Sequence, residues 1–382
     1  MKKFVNNKSR LLVASLIIFL VSITILEFIN SKYLYKNSSL VNVYDMSFDG
    51  LKLLNNELDT NTIFLSGEAH GNVKSIDMNL YLMKYFIENT GIRYILYEGG
   101  YAEAQYINMY LDTGNENILI DIFDSFRGTS NYTMEKYNFL KSVYEYNLTL
   151  NEDSKIKFVG IDKEIPTLAI KYIKSLIPNS TTSKDSVNNF ITSLNRLNIH
   201  DYQDNINDII TLLSENSKDI ELYFGEDFFD LSYTIRNLVN GDEIFYRDDL
   251  LRDNFIELYE YLPPGKYFGQ FGSHHVFKER SEDAGGLRSL AYYIDNEYVE
   301  TKGKVMTILY DYIDSKCYTS QFPEGVSISN EIPQKFYKED GDIRLFKINQ
   351  RHNPYTKTPM DKFQYIITFK NSDSASKYFC DR

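Results

Sequence analysis

The chain has five histidines, and three of them stand where short apolar runs end. Residues 62–66 (TIFLS) lead into Gly67-Glu68-Ala69-His70-Gly71, and 93–97 (RYILY) end at Glu98-Gly99-Gly100. Residues 156–161 (IKFVGI) end at Asp162, and 267–271 (YFGQF) end at Gly272-Ser273-His274-His275. A histidine among carboxylates suits hydrolysis. Imidazole titrates near neutrality and takes a proton from water, while a flanking carboxylate fixes its tautomer and supports the imidazolium that forms. In that reading His70 is the base, Glu68 or Glu98 orients it, and His275 positions the substrate or steadies an oxyanion. No G-x-S-x-G motif occurs, and neither Cys317 nor Cys380 sits near a histidine in the pattern, so direct attack by water is the simpler route and needs no cofactor. The alternative is a divalent metal: His70, Glu68, Glu98 and His275 as ligands leave an open position for an activated water.

Taken singly, these residues also have plainer explanations. Glu68 can cap a following helix, since an acid is favourable at a helix N-terminus. His70 can be a loop histidine bonded to backbone, and Asp162 can cap a helix near residue 165. Glu98 resists such a reading, because a carboxylate straight after an apolar strand and before two glycines is poorly placed for solvation. If the strand continues, His274 and His275 face opposite ways, so one of the two reaches the site. His200 and His352 lie in polar stretches and read as surface residues. A second cluster, Tyr246-Arg247-Asp248-Asp249 with Asn254 seven residues after Arg247, falls on a predicted helix before the 267 strand. Alone it reads as a solvated face with local charge pairs, each worth about 0.2–0.5 kcal/mol.

Something must bring these residues to one place. Ile76, Leu80, Met83 and Ile87 recur at helical spacing, and Gly91 stops that helix. Residues 304–310 (KVMTILY) read as a later strand, and 164–260 read as a polar, mostly helical insertion. Continuous apolar strands separated by helices predict an α/β fold with a mostly parallel sheet covered by helices. Ligands of such sheets bind beyond the carboxyl ends of the strands, where Glu68, His70, Glu98, Asp162 and His274 or His275 fall. The region after 320 is mixed and Pro-punctuated and receives no assignment.

The N-terminus carries Lys2, Lys3, Lys8 and Arg10 before an uncharged run from Leu11 to Leu26, extended by Phe28 and Ile29. This predicts a cytoplasmic basic flank over 1–10, a transmembrane anchor over 11–29, a stem over 30–47 and an extracytoplasmic body over 48–382, with the membrane as a partner. The alternative is a cleaved signal and a secreted body. With 41 Lys+Arg against 53 Asp+Glu the net charge is −12, which argues against a nucleic-acid partner. A small-molecule substrate is the expected partner. Two cysteines are too few for a disulfide scaffold or a thiolate zinc site.

Taken together, these segments resemble the erythromycin esterase family. Residues 48–71 (FDGLKLLNNELDTNTIFLSGEAHG) look like its opening segment with a GEATHG-type motif. Glu98 matches its glutamate at the end of the next strand, and Gly160-Ile161-Asp162 is similar to its GLD element. Arg247-Asp248 with Asn254 resembles its RD…N helix. His275-Val276 fits its later histidine, and Gly286-Leu287 its following glycine-leucine element. The likeness covers roughly 48–315 and lies in the order of the motifs. Here Ala69 and His70 are adjacent where the family inserts a threonine, Asn79 stands where it keeps an arginine, and Gly272 stands where it keeps the first of two late histidines. The last two departures count against macrolide lactone hydrolysis. Gly67-Glu68-Ala69-His70 and Gly272-Ser273-His274-His275 are also paired G-x-x-H motifs, which resemble Tiki-type metal-dependent proteases, and the G-E-x-H opening is similar to haem-binding ChaN-like proteins.

The resemblance implies an esterase-like hydrolase. Its catalytic candidates are His70, Glu68, Glu98, His275 and Arg247, and its substrate-contact candidates are Asp162, His274 and Asn254. It also raises Arg247 above its plain helical reading, because carboxylates crowded near His70 need a cation, and Arg247 is expected to grip Glu98 or Glu68.

Overall fold

Runs of branched and aromatic residues that alternate with amphipathic segments bury themselves best as strands covered on both sides, and the fold follows from that. The computed structural model describes residues 35–240, 247–278, 288–328, 341–348 and 363–379. Strand β1 is Tyr35–Leu40, β2 Ile63–Glu68, β3 Tyr94–Tyr97, β4 Lys157–Gly160 and β5 Tyr267–Gly272. They are followed by β6 Val305–Ile313, β7 Lys316–Thr319, β8 Phe322–Ser327, β9 Ile343–Ile348 and β10 Tyr365–Lys370. The described helices are α1 Val73–Thr90, α2 Tyr101–Thr113, α3 Glu116–Ser125, α4 Met134–Leu148, α5 Pro166–Ser175 and α6 Asp185–Arg196, then α7 Tyr202–Glu215, α8 Ser217–Phe224, α9 Phe228–Asn240, α10 Arg247–Tyr261 and α11 Leu290–Asn296.

Eight strands form one sheet in the order β1-β9-β10-β6-β2-β5-β3-β4, and β7 and β8 form a separate hairpin. The sheet is mixed: five of its seven pairings are parallel, in keeping with the mostly parallel sheet expected from sequence, and two are antiparallel. From β10 to β4 the pairings are parallel, but β9 runs antiparallel to both β10 and β1. The physical reason lies in the late region that received no assignment. It supplies β9 and β10, and Tyr35–Leu40, inside the segment read as a stem, pairs on the outer side of β9.

The centre of the sheet is dry. Every residue of β6 is buried, and so are Ile63, Phe64 and Leu65 of β2. The α1 helix begins with Asn72, whose side chain accepts from the Ser75 amide, and ends at Gly91 with φ 70°. One face of α1 lays Phe86 against Phe64 and Phe268, with ring centroids 4.6 and 5.1 Å apart. Other covering helices are α2 against β4 and α11 against β6, while α9 packs on α5 and α7, and α5 and α9 lie beside α2.

Among the described residues no helix is long and apolar enough to cross a membrane. The longest described helix, α1, has 18 residues but carries Lys74, Asp77, Lys84 and Glu88. The expected single-pass anchor is therefore corrected, and with it the extracytoplasmic placement of the hydrolase and the membrane as a partner. The structure supports none of them, and residues 11–29 lie outside the described residues.

Candidate active site

The strands β2, β5, β3 and β4 are neighbours, and their carboxyl ends share one edge of the sheet. Register sets a common depth: Glu68 pairs with Gly272, and Tyr97, just before Glu98, pairs with Gln270 and Gly160. Side chains that follow these residues meet over a single patch.

His70 Nδ1 lies 2.9 Å from Glu68 Oε1. The other Glu68 oxygen accepts from Gln270 Nε2 at 2.6 Å, and Gln270 Oε1 accepts from the Tyr310 hydroxyl at 2.9 Å. Glu68 is thus held from both sides, and it fixes the ring. His70 Nε2 faces Glu98 Oε2 at 3.7 Å, and 38% of the His70 side chain stays exposed, so a ligand can reach it.

Glu98 is the hub. Only 7% of its side chain is exposed, so each oxygen needs a partner inside the protein. Oε2 accepts from the Gly272 amide at 2.6 Å, and Oε1 accepts from Arg247 Nη2 at 2.9 Å and lies 3.5 Å from His275 Nε2. Gly272 keeps this approach open: a Cβ there would stand 3.2 Å from His70 Nε2, close enough that the ring would have to give by a few tenths of an ångström, and 3.7 Å from Glu98 Oε1.

Arg247 opens α10 and grips Asp162 more than Glu98. Its Nε donates to the two Asp162 oxygens at 3.2 and 3.1 Å, and its Nη2 bridges Asp162 and Glu98. The expected fork onto Glu98 or Glu68 is realised on Asp162, with Glu98 at the corner. Among the described residues the Nη1 group has no hydrogen-bond partner.

The next residue of α10, Asp248, was not among the candidates. It lies 2.9 Å from His275 Nδ1 through an oxygen that also accepts from the Leu290 amide at 2.7 Å. Its sequence signal was its place in the Arg247-Asp248 pair that resembles the RD…N helix. Gln270 showed as a polar residue within an apolar strand just before Gly272.

The structure therefore brings together Glu68, His70, Glu98, His275, Arg247 and Asp162. It leaves out His274, which is exposed and packs edge-on against Phe277. Asn254 is buried and donates to the Ile161 carbonyl and to Asn237 Oδ1, each at 3.0 Å. Asn237 in turn donates to the Asp162 carbonyl at 2.8 Å. Asn254 thus braces the segment that carries Asp162 and does not face a ligand. Tyr246, His352, Cys380 and the Gly286-Leu287 element lie outside the described residues, and His200 is exposed.

Charge follows from this geometry. Burial alone would lower the His70 pKa, but Glu98 and Glu68 outweigh it and lift it well above the ordinary imidazole value. His275 is raised in the same way, burial being outweighed by Asp248 and Glu98. For Glu98, burial is outweighed by His70, His275 and Arg247, which hold its carboxyl well below the usual carboxylate range.

These shifts fix how stability depends on pH. Each raised imidazole contributes stability that is complete below its unfolded value, 6.5, and is lost as pH rises through the folded value. Glu98 contributes stability that is complete above 4.5 and is lost as pH falls toward its depressed value. The thermal midpoint, followed by circular dichroism, is expected to peak between about pH 4.5 and 6.5 and to decline on the alkaline side. The H70N/H275N variant should decline less on that side. A midpoint that climbs from slightly acid to alkaline pH contradicts this arrangement.

A divalent ion at this patch would have to share Glu98 with the Arg247 guanidinium, which already bonds Oε1 at 2.9 Å, and with the Gly272 amide on Oε2. Among the described residues no group of three His, Cys, Asp or Glu side chains is arranged to hold one.

No family model and no curated protein matches the chain. Solved structures share its fold. A Bacillus cereus protein is 15% identical with a TM-score of 0.66, the match covering 91% of this chain and 98% of that one. A succinoglycan biosynthesis protein is 14% identical with a TM-score of 0.67, covering 91% and 98%. An erythromycin esterase, a histidine-to-asparagine mutant in its open conformation, is 14% identical with a TM-score of 0.66, covering 91% and 100%. At these identities the likeness is one of fold. It places the chain in a structural neighbourhood that includes an esterase, and the buried histidine–carboxylate pairs described above are consistent with hydrolase-type chemistry.

Proposed function

We propose that the protein is a divergent erythromycin esterase-like hydrolase that uses water activated by His70 to open an ester or related acyl bond in a small molecule. The observation that carries this reading is the His70 ring, fixed through Nδ1 on Glu68 while its side chain stays partly open to a ligand. The order of the sequence motifs and the shared fold support it.

In this mechanism neutral His70 takes a proton from water at Nε2, and the water oxygen attacks the acyl carbon. Glu68 and Glu98 stabilise the imidazolium that forms. Arg247 Nη1 steadies the tetrahedral oxyanion, with His275 beside it. Collapse expels the alcohol, which takes the proton back from His70. Glu98 and Asp162 hold the guanidinium so that its remaining donors aim at one point. Because the resting ring is held protonated, the active neutral form grows as pH rises. Turnover should therefore climb into the alkaline range.

The test is a panel of aryl esters, alkyl esters and lactones, with and without a chelator. Turnover is expected on at least one acyl class, lost in H70N and unchanged by EDTA. Loss with EDTA and recovery with zinc would replace this mechanism by a metal-dependent one. A panel with no His70-dependent turnover sinks the hydrolase reading.

A further inference from the structure

Beneath His70 and Glu68 lies a small closed-in cavity of about 30 Å³, lined among others by Asn79, Glu98, Lys136 and Gln270. A cavity needs roughly 10–15 Å³ to hold one water, so this one admits a water and little more. Two of its walls carry complementary polar groups. Asn79 Oδ1 is buried and has no hydrogen-bond partner among the described residues. The Lys136 ammonium makes no hydrogen bond or ion pair with the described residues. It stands over the rings of Tyr97 and Phe139, 5.2 and 5.0 Å from their centroids. An acceptor and a strong donor thus face the same water-sized space, in a setting where unsatisfied polar groups are expensive.

The surroundings fix what the lysine does. Lys136 lies on the first turn of α4, where Thr133 caps the helix by accepting from the Lys136 amide at 3.2 Å, so its backbone is anchored. Burial lowers its pKa, and the charges of Glu68, Glu103 and Glu98 work against that fall. Phe139 and Tyr97 keep the stem dry and hold the cation by their ring faces. The ammonium therefore faces a cluster of carboxylates with no salt bridge to any of them. A bridging water is the group that can carry its hydrogen bond onward.

We propose that Lys136 is a positioning residue for this site: with Asn79 it holds one water against Glu68, and through Glu68 it sets the orientation of His70. The inference rests on the hydrolase reading for its kinetic consequence but not for its structural one. The groups that bear on His70 are Glu68 on β2, Glu98 after β3, Cys317 on β7 and Lys136 on α4, with Arg247 and His275 beyond Glu98. Among them Lys136 is the cation on the Glu68 side.

The experiment uses the full chain with K136M, which keeps length but loses charge, K136R, which keeps charge, N79L, and the double variant K136M/N79L. One arm follows the His70 ring-proton titration by NMR, assigned with H70N. A lost cation leaves Glu68 unopposed, so K136M should raise the His70 midpoint by about half a pH unit or more, and K136R should restore it. The other arm measures kcat and KM on the ester found active. K136M should lower kcat roughly tenfold with KM within about twofold, and K136M/N79L should cost no more than K136M alone, because both changes remove the same water. An unchanged His70 midpoint in K136M, a K136R variant as damaged as K136M, or fully additive losses in the double variant would each overturn the proposal. If the parent hydrolyses nothing, the hydrolase reading fails while the titration still decides the role of Lys136.

Discussion

Replacing His70 by Asn is expected to lower kcat for the hydrolysed ester by roughly 10²- to 10⁴-fold, the usual contribution of a positioned general base. Asparagine keeps a polar group near Glu68 but cannot take a proton from water. KM should change little, because the ring acts on the water and not on the body of the substrate. The fold should survive, since the side chain is partly exposed and sits at the mouth of the site. The pH profile supplies the sharper check. In the parent the acid limb reports the His70 ring, whose titration Glu98 and Glu68 push above 6.5, so the rate should rise through neutrality into the alkaline range. In E68Q one of the two carboxylates is neutral, and the limb should move to lower pH while kcat falls. A parent profile already flat at slightly acid pH, or an H70N variant with near-parental kcat, removes His70 from the chemistry.

Much of this arrangement is legible in the sequence because of one regularity. A strand buried on both faces is a run of apolar residues, and its end is marked by the first residue that cannot be buried unpaired. Glu68, Glu98, Asp162 and His275 all sit at such marks, and the register then brings them to one depth. What was not legible depends on contacts far apart in the chain. Gln270 reads as an interruption in a strand until Tyr310, forty residues away, fixes its amide. Lys136 carries no local signal, standing in a stretch to which the sequence pattern assigns no element. Its neighbours Tyr97 and Asn79 come from other elements. Asn254 is a substrate-contact candidate only through the resemblance of its helix to the RD…N element. It instead points at the backbone that Asp162 belongs to. The late strands β9 and β10 hid in a stretch broken by prolines, and their antiparallel pairing is a matter of partners that no local pattern encodes.

Arg247 carries the other large expected effect, and it divides into charge and shape. Glu98 and Asp162 are 7% and 5% exposed at their side chains, and the same guanidinium bonds both. Removing it in R247M leaves two buried carboxylates without their shared cation, a change that typically costs about 3–5 kcal/mol. That loss should appear as a marked fall in thermal midpoint. It should be milder at acid pH, where Glu98 can take up a proton once its cation is gone. R247K keeps the charge, but one ammonium cannot place two parallel donors on Asp162 and a third on Glu98. It should keep most of the stability and lose kcat by roughly 10²-fold, the scale of removing one oxyanion donor. R252K on the same helix is the control. Arg252 pairs with Asp249 and Asp253 and lies over the Tyr293 ring, with no bond to Glu98 or Asp162; partly exposed pairs of this kind are worth about 0–1 kcal/mol and lysine keeps the charge, so neither stability nor turnover should move much. If R247K and R252K behave alike in both measurements, then Arg247 holds Asp162 in place for the fold and takes no part in the reaction.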